Sequence, residues 1–134
     1  MTLVDTNVLL DLITNDPSWA DWSQAQLEQA VLAGPVFAND VVYAELSARY
    51  ARIEDLDQML EKVLIEVARI PRRALFLAGK AFRQYRASGG ARTGVLSDFS
   101  IGAHAAVEGW SLLTRDARHY RSYFPSVRLI VPGA

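Results

Sequence analysis

The chain has 134 residues with 51% hydrophobic and 22% charged side chains, a formal net charge of -1 and no cysteine. This composition predicts a single globular domain, residues 1–134, and excludes a disordered chain, disulfides, cysteine-based zinc sites and a cysteine nucleophile. No apolar run approaches the ~18 residues of a membrane span, and the acidic start is not a signal peptide, so we expect a cytoplasmic protein without a membrane partner.

In the first half of the chain, short apolar runs alternate with helical patterns. Acids and prolines mark where helices begin, and glycine marks where one ends. The predicted elements are a strand at 2–5, a helix at 6–14, a helix from Asp16-Pro17 to Gly34-Pro35, a strand at 36–38, a helix from Asn39 or Asp40 to about Tyr50, and a helix capped by Asp55 with apolar residues from Leu56 to Leu64.

The second half continues the alternation, which predicts a parallel β-sheet of four or five strands with helices on both faces. Sites in such sheets lie beyond the carboxyl ends of the strands. The predicted elements are a strand at 67–70, a helix opened by Pro71 with a core face of Leu75, Ala78, Phe82 and Tyr85, a glycine-rich loop at 89–94, a helix capped by Ser97 or Asp98, and strands at 110–114 and 127–131.

Four acidic residues stand where this α/β fold would bring side chains together. Asp5 ends the first strand, Asp116 follows the strand at 110–114, and Asp98 begins the helix after the glycine loop. Glu45 lies in a helix among apolar neighbours, so we expect it to face inward. Carboxylates that cluster repel one another, and a divalent cation such as Mg²⁺ or Mn²⁺ offsets that cost.

Phosphodiester hydrolysis is the chemistry that follows most directly from a carboxylate-bound Mg²⁺ or Mn²⁺. Such a metal neutralises the phosphate and lowers the pKa of a bound water. Asn7, two residues after Asp5, and Thr114, two residues before Asp116, are placed to hydrogen-bond the ligands or the phosphate. The sequence therefore predicts a metal site with polar supporting residues.

The net charge conceals an uneven distribution. Residues 1–68 contain 12 acidic and 3 basic side chains, whereas residues 69–134 contain 11 basic and 3 acidic ones. Arginine outnumbers lysine 12 to 2. Arginine binds phosphate bidentately and stacks on bases, which favours an RNA partner, although a GC-rich coding sequence also raises arginine content. The candidate RNA-binding residues are Arg92, which lies just before Asp98, together with Arg72, Arg83, Arg86 and Arg115.

Four segments resemble one known family. They are LVDTNVLLD at 3–11, AEL at 44–46, LSDFSIGAHA at 96–105 and LLTRD at 112–116. In this order and at these intervals they resemble the PIN domain, and among its members the VapC-type toxin ribonucleases of toxin–antitoxin pairs. The resemblance implies a PIN-like sandwich fold and a metal-dependent endoribonuclease that cleaves tRNA or rRNA and inhibits translation.

The resemblance also implies a set of site residues and partners. It places four acids on catalytic and metal-binding positions, where they hold Mg²⁺ or Mn²⁺ directly or through water, and two polar residues beside them. The expected partners are an RNA substrate, a cognate VapB-type antitoxin and a second copy of the chain. The matched residues are Asp5, Glu45, Asp98 and Asp116, supported by Asn7 and Thr114.

Three polar residues near these segments have ordinary structural interpretations. Asp11 is interpreted as a structural acid at the end of the first helix. His104 is interpreted as a core histidine on a helix rich in small residues. His119 is interpreted as a residue of a surface loop, with RNA contact as the alternative.

Other functions share parts of this pattern. A haloacid-dehalogenase or response-regulator phosphotransferase also uses an aspartate at a strand end, but it needs a lysine at a later strand end, and Lys62 and Lys80 both lie in the middle of helices. A flap-type DNA nuclease shares the core but is much longer. A non-toxin PIN nuclease or a catalytically silent RNA-binding or scaffold module is the alternative, because each acid also has an ordinary structural interpretation.

Overall fold

The computed structural model describes residues 1–92 and 94–133, so Thr93 of the predicted glycine-rich loop lies outside the described residues. The described residues form five strands and seven helices. None of these helices combines the length and the apolar character that a bilayer span requires. In chain order the elements are β1 (Thr2–Val4), α1 (Thr6–Ile13), α2 (Ala20–Ala33), β2 (Val36–Asn39), α3 (Asp40–Ser47), α4 (Ile53–Lys62), β3 (Glu66–Ala68), α5 (Arg72–Ala87), α6 (Val95–Glu108), β4 (Ser111–Leu113), α7 (Arg118–Tyr123) and β5 (Leu129–Ile130).

The five described strands pair in parallel in one sheet with the order β3-β2-β1-β4-β5, which confirms the predicted parallel α/β fold. The chain builds outward from β1 to β3 on one side and then returns to add β4 and β5 on the other. The strand order therefore reverses beside β1, and ligands of α/β sheets bind at such a point, beyond the carboxyl ends of the strands. Asp5 follows β1 and Thr114 follows β4, so both lie at this edge.

Apolar side chains cover both faces of the two central strands. Leu3 and Val4 on β1 point to opposite faces of the sheet, as do Leu112 and Leu113 on β4, and all four are fully buried. Burial of each such side chain stabilises the fold by about 1.5–3 kcal/mol. Strands of three residues are therefore held in place by the core on both sides, and this fixes the loops that follow them.

Two helices begin earlier than their acidic residues predict. α6 begins at Val95 with Gly94 at the N-cap, so Asp98 lies inside its first turn and the predicted cap is wrong. Burial of Val95 in the core extends the helix toward its N-terminus. α4 begins at Ile53, and Asp55 lies in its first turn. An acid in a first turn still interacts favourably with the positive end of the helix dipole, which is why both positions resembled caps.

Alanines form the buried face of α5. Ala74, Ala78 and Ala81 are buried there, whereas Leu75, which the sequence placed in the core, is 48% exposed. α5 packs mainly on α6, which is itself rich in small residues. Small side chains on both helices let them approach closely, and of the larger residues of α5 Tyr85 packs edge-on against Phe99 of α6, with 5.7 Å between the ring centroids.

The short helix α7 occupies a segment that the sequence analysis treated as a surface loop around His119. Its approach depends on Gly102 in α6. A Cβ atom at Gly102 would lie 2.5 Å from Cδ2 of Phe124 and 2.9 Å from Cδ1 of Tyr120. The absence of a side chain at this position lets α7 pack against α6, and this packing carries Tyr120 to the end of β1.

Candidate active site

A pocket of about 230 Å³ opens beyond the carboxyl ends of β1 and β4, and the four predicted acids all line it. Four separate segments of the chain supply them. No lysine or arginine belongs to the described lining of this pocket. The lining residues are Asp5, Thr6, Asn7, Leu10, Glu45, Asp98, Asp116, His119 and Tyr120.

Asp5 is the buried centre of the pocket, with 5% of its surface exposed. Three donors hold its carboxylate. The backbone N–H of Thr6 donates to Oδ1 at 2.7 Å, and the hydroxyls of Thr114 and Tyr120 donate to Oδ2 at 2.7 and 2.9 Å. Burial raises the pKa of Asp5 despite these three hydrogen bonds, and the nearby charge of Glu45 raises it further.

Thr114 and Asn7 join the ends of β1 and β4. While the Thr114 hydroxyl donates to Asp5, its oxygen accepts from Asn7 Nδ2 at 3.3 Å and from the backbone N–H of Asp116 at 3.1 Å. Asn7 Oδ1 accepts from the backbone N–H of Arg115 at 3.1 Å. The two predicted supporting residues are therefore brought to the site, where their contacts fix the backbone that carries Asp116.

Glu45 reaches the pocket from α3, but the expectation that it faces inward is wrong. Val42 and Leu46 form the buried side of α3, and Glu45 lies beside them as an exposed residue. Its Oε1 accepts a hydrogen bond of 2.7 Å from the Thr6 hydroxyl. The carboxylate thus stands at the mouth of the pocket, open to solvent and anchored on one side.

Asp98 enters from the first turn of α6 and is half-buried. Burial raises its pKa to about 6, and the charges of Asp5, Glu45 and Asp116 act in the same direction. The charge of Arg92 acts in the opposite direction. Asp98 is thus the carboxyl group that most clearly senses the accumulated negative charge of the pocket.

Asp116 has a counter-charge of its own. Nε of Arg118 donates to Oδ1 at 3.0 Å and Nη2 donates to Oδ2 at 2.7 Å, and the backbone N–H of Arg118 adds a bond of 3.2 Å to Oδ1. These bonds lower the pKa of Asp116 to about 2. The Asp116 carboxylate is therefore ionised in any ordinary buffer and turned toward α7.

Arg115, which the sequence offered as an RNA contact, forms an internal ion pair. Its Nε and Nη2 donate to Asp11 at 2.6 and 2.9 Å, and its guanidinium lies over the Trp19 ring at 5.1 Å from the centroid. Ser23 donates to the same carboxylate at 2.6 Å. Asp11 is 2% exposed, in agreement with its structural interpretation, and Arg115 has a structural role beside the site.

The other RNA-binding candidates, Arg72, Arg83, Arg86 and Arg92, are all exposed. Arg72, Arg83 and Arg86 lie on α5. Arg92 is anchored through its backbone N–H, which donates to the Tyr85 hydroxyl at 3.1 Å. The charge of Arg92 lowers the pKa of Asp98, which puts this arginine within electrostatic reach of the pocket.

The two histidines occupy different surroundings. His104 is buried away from the pocket, where Nδ1 lies 3.2 Å from Nδ2 of Asn39 and the ring packs on Trp110. Burial lowers the pKa of His104. His119 lines the rim of the pocket and packs edge-on against Tyr85 and Phe99.

Two residues that contact the acids were not identified from the sequence. They are Thr6 and Tyr120, which hold Glu45 and Asp5 respectively. The apolar spacing of Tyr120, Tyr123 and Phe124 is a helical signal that would have predicted α7 and, with it, the approach of Tyr120.

The donor set fits a hard divalent cation. The pocket offers carboxylate, hydroxyl and amide oxygens, which Mg²⁺ and Mn²⁺ prefer. Besides burial, the charges of the other three acids raise the pKa of Asp98, so the carboxylates of the pocket repel one another and a cation would relieve that repulsion. In the described residues no three His, Asp or Glu side chains already converge on one point that a metal ion would occupy. Coordination by several of the acids therefore requires side chains to turn.

Comparisons with known proteins identify the family and agree with the fold. The family model described as PIN domain matches residues 2–125. Among solved structures, VapBC2 from Rickettsia felis, bound to a DNA fragment from its promoter, matches with a TM-score of 0.74 at 19% identity over 97% of both chains. DNA-bound VapBC from Salmonella typhimurium matches with a TM-score of 0.69 at 18% identity, over 97% of this chain and 96% of that chain. A toxin–antitoxin complex from Klebsiella pneumoniae matches with a TM-score of 0.66 at 18% identity over 98% of both chains. The search of curated proteins gave no match.

Proposed function

Because the chain belongs to the PIN domain family, we propose that it is a metal-dependent endoribonuclease that acts as a toxin and is neutralised by a protein antitoxin. PIN domains are nucleases and generally use divalent metal ions. The proposed substrate is a structured RNA, tRNA or rRNA, and its cleavage would inhibit translation in the cytoplasm.

One observation carries the proposal. Asp5, Glu45, Asp98 and Asp116 line a single pocket whose described lining contains no basic side chain. A pocket built only to hold an RNA backbone would gain nothing from four carboxylates, since phosphate and carboxylate repel. A divalent cation reverses that repulsion, which supports a nuclease over a silent RNA-binding module.

The proposed metal ligands differ in how firmly the protein holds them. Asp5, fixed by three hydrogen bonds, is the rigid ligand, while Glu45, Asp98 and Asp116 approach from three other segments. Thr114 orients Asp5 and so keeps one carboxylate oxygen in place. A bound Mg²⁺ or Mn²⁺ supplies charge neutralisation of the scissile phosphate and acidification of a water.

RNA cleavage with and without chelator tests the function. Purified protein is expected to cleave RNA in Mg²⁺ or Mn²⁺, to stop in excess chelator, and to resume when metal is restored. Asp5→Asn should reduce the cleavage rate at least about 100-fold, because mutation of residues that only orient a metal ligand already lowers metal affinity or activity 10–100-fold.

The matched control is Asp21→Asn, which removes an exposed acid from the first turn of α2. It should cleave like the wild type. Cleavage that persists in chelator, or in folded Asp5→Asn protein, would show that the metal mechanism is wrong.

Four exposed arginines are proposed to hold the RNA backbone: Arg72, Arg83, Arg86 and Arg92, of which Arg92 acts electrostatically on Asp98 of the pocket. Each phosphate contact contributes about 0.7 to the salt slope of binding on single strands and about 0.9 on duplex. Arg92→Ala should therefore weaken RNA binding and flatten the salt slope by about that amount, measured by titrations at several salt concentrations.

Arg52→Ala is the control for this titration. Arg52 is an exposed arginine in the acidic half of the chain, paired with Glu54 at 3.6 Å. Its removal should leave the salt slope unchanged. An Arg92→Ala slope equal to that of the wild type would rule out Arg92 as a phosphate contact.

The antitoxin and a second copy of the chain are the proposed protein partners. The toxin–antitoxin complex from Klebsiella pneumoniae, which shares the fold, supports the first of these. An apolar groove between α2 and α4, whose rim includes Leu32 at 89% and Leu64 at 65% exposure, offers an antitoxin a surface. Leu75 and Phe76, exposed on α5, offer a second apolar surface.

A further inference from the structure

The pairing of Arg118 with Asp116 occupies one of the four acids of the pocket. Nε and Nη2 of Arg118 donate to both carboxylate oxygens of Asp116, so the arginine fork engages the same oxygens that a cation would use. Arg118 is the first residue of α7, and the next two residues, His119 and Tyr120, line the pocket. The guanidinium therefore contacts an acid of the pocket from α7, although Arg118 does not itself belong to the described lining.

The ion pair between Arg118 and Asp116 can open at little cost to the stability of the fold. The side chains of Arg118 and Asp116 are 74% and 47% exposed. Ion pairs exposed to this degree contribute little to stability, so the fold does not depend on keeping the pair closed. By contrast, the pair between Arg115 and Asp11 is 27% and 3% exposed and holds the neighbouring loop without Arg118.

The freed guanidinium matches an RNA phosphate. Arginine presents two parallel N–H groups that bind a phosphate with the same fork geometry as a carboxylate. No other arginine or lysine of the described chain contacts a carboxylate that lines the pocket.

We propose that Arg118 exchanges partners: it pairs with Asp116 until a divalent cation takes that carboxylate, and it then binds a phosphate of the RNA at the mouth of the pocket. Arg118 and the cation compete for Asp116, whereas the Arg118 that the cation releases strengthens RNA binding. The inference rests on the proposed metal-dependent RNA cleavage and adds a specific substrate contact to it.

Arg118→Gln separates the two effects because they have opposite signs. Without RNA, the variant should bind Mg²⁺ or Mn²⁺ several-fold more tightly than the wild type, measured by calorimetric titration. With RNA, it should show a kcat/KM lowered about 10-fold, mainly through KM, and a salt slope of KM flatter by about 0.7, the contribution of one single-strand phosphate contact. A merely structural role would weaken metal binding and RNA cleavage together.

Two further variants complete the test. Arg118→Lys keeps the charge but not the fork, so it should recover most of the salt slope. Arg121→Gln, a change at an exposed arginine one turn further along α7, should leave metal affinity and the salt slope unchanged.

The outcomes distinguish this inference from the proposed function. If wild-type protein binds metal and cleaves RNA while Arg118→Gln has unchanged or weaker metal affinity, or an unchanged salt slope, the exchange is wrong and the nuclease stands. If the wild type neither binds metal nor cleaves RNA, both proposals are overturned.

Discussion

Asp98→Asn is expected to abolish RNA cleavage and, in chelator, to make the protein more stable at neutral pH. The two effects have one cause, which is that Asp98 carries negative charge into a pocket that already holds Asp5, Glu45 and Asp116. The activity loss should be at least about 100-fold, as for other residues that position a metal. Stability should move in the opposite direction, because asparagine has no charge to desolvate.

The pH dependence follows from the pKa of Asp98, which burial and neighbouring acids raise to about 6. Between pH 3.8 and 6 the folded state binds this proton and the unfolded state does not, so stability falls as pH rises through that window. Two pKa units correspond to about 3 kcal/mol, which solvent screening of a half-buried group reduces to about 1–2 kcal/mol. Above pH 6, wild-type protein should therefore be less stable than Asp98→Asn by about this amount.

Thermal unfolding of wild-type and Asp98→Asn protein at pH 4 and pH 8 measures the effect, with chelator or Mg²⁺ present. In chelator, the advantage of Asp98→Asn should grow from pH 4 to pH 8. Mg²⁺ should raise the Tm of the wild type at pH 8 and leave that of the variant nearly unchanged. Asp21→Asn, which removes an exposed acid from the first turn of α2, should gain no stability between pH 4 and pH 8 relative to the wild type and should keep the wild-type response to Mg²⁺. An Asp98→Asn advantage that is independent of pH would contradict the explanation.

The positions of Asp5, Asp98 and Asp116 could be predicted from the sequence because local signals determine them. A short apolar strand followed by an acid places that acid at the carboxyl edge of a parallel sheet, and this holds for β1 and β4. Asp98 was correctly placed near the start of a helix, although burial of Val95 moved the start upstream. Errors of this size do not alter which residues meet in the pocket.

Contacts between distant segments could not be predicted in the same way. Tyr120 reaches Asp5 only because Gly102, on another helix, allows α7 to approach. The apolar neighbours of Glu45 suggested an inward direction, but the burial of Val42 and Leu46 leaves it at the pocket mouth. Whether a side chain near an apolar stripe lies inside or beside it depends on the shape of the facing surface, which a single sequence does not contain.

Asp11→Ala is expected to lower the free energy of unfolding by about 3 kcal/mol. Asp11 accepts two hydrogen bonds from Arg115 and one from Ser23, and it is 2% exposed. Loss of one partner from a buried ion pair leaves the other charge uncompensated, at a typical cost of 3–5 kcal/mol. The partial exposure of Arg115 favours the lower end of that range.

Denaturant unfolding with a double-variant cycle distinguishes this pair from a surface contact. The double variant Asp11→Ala/Arg115→Met should lose clearly less free energy of unfolding than the two single variants lose when added together, because it leaves no unpaired charge. Glu54→Ala, which breaks the exposed pair with Arg52, should change stability by about 0.5 kcal/mol or less. Additive effects of the Asp11 and Arg115 variants would show that the pair is not coupled.

Asp11→Ala should also impair the site, because Arg115 lies between Thr114 and Asp116 and its backbone N–H donates to Asn7. When the guanidinium loses Asp11, the segment that carries Asp116 loses one of its anchors. Mg²⁺ affinity of folded Asp11→Ala protein should fall about 10-fold, the lower end of the effect of residues that orient a metal ligand. Unchanged Mg²⁺ affinity in a destabilised variant would mean that Asn7 and Thr114 hold Asp116 without the buried pair.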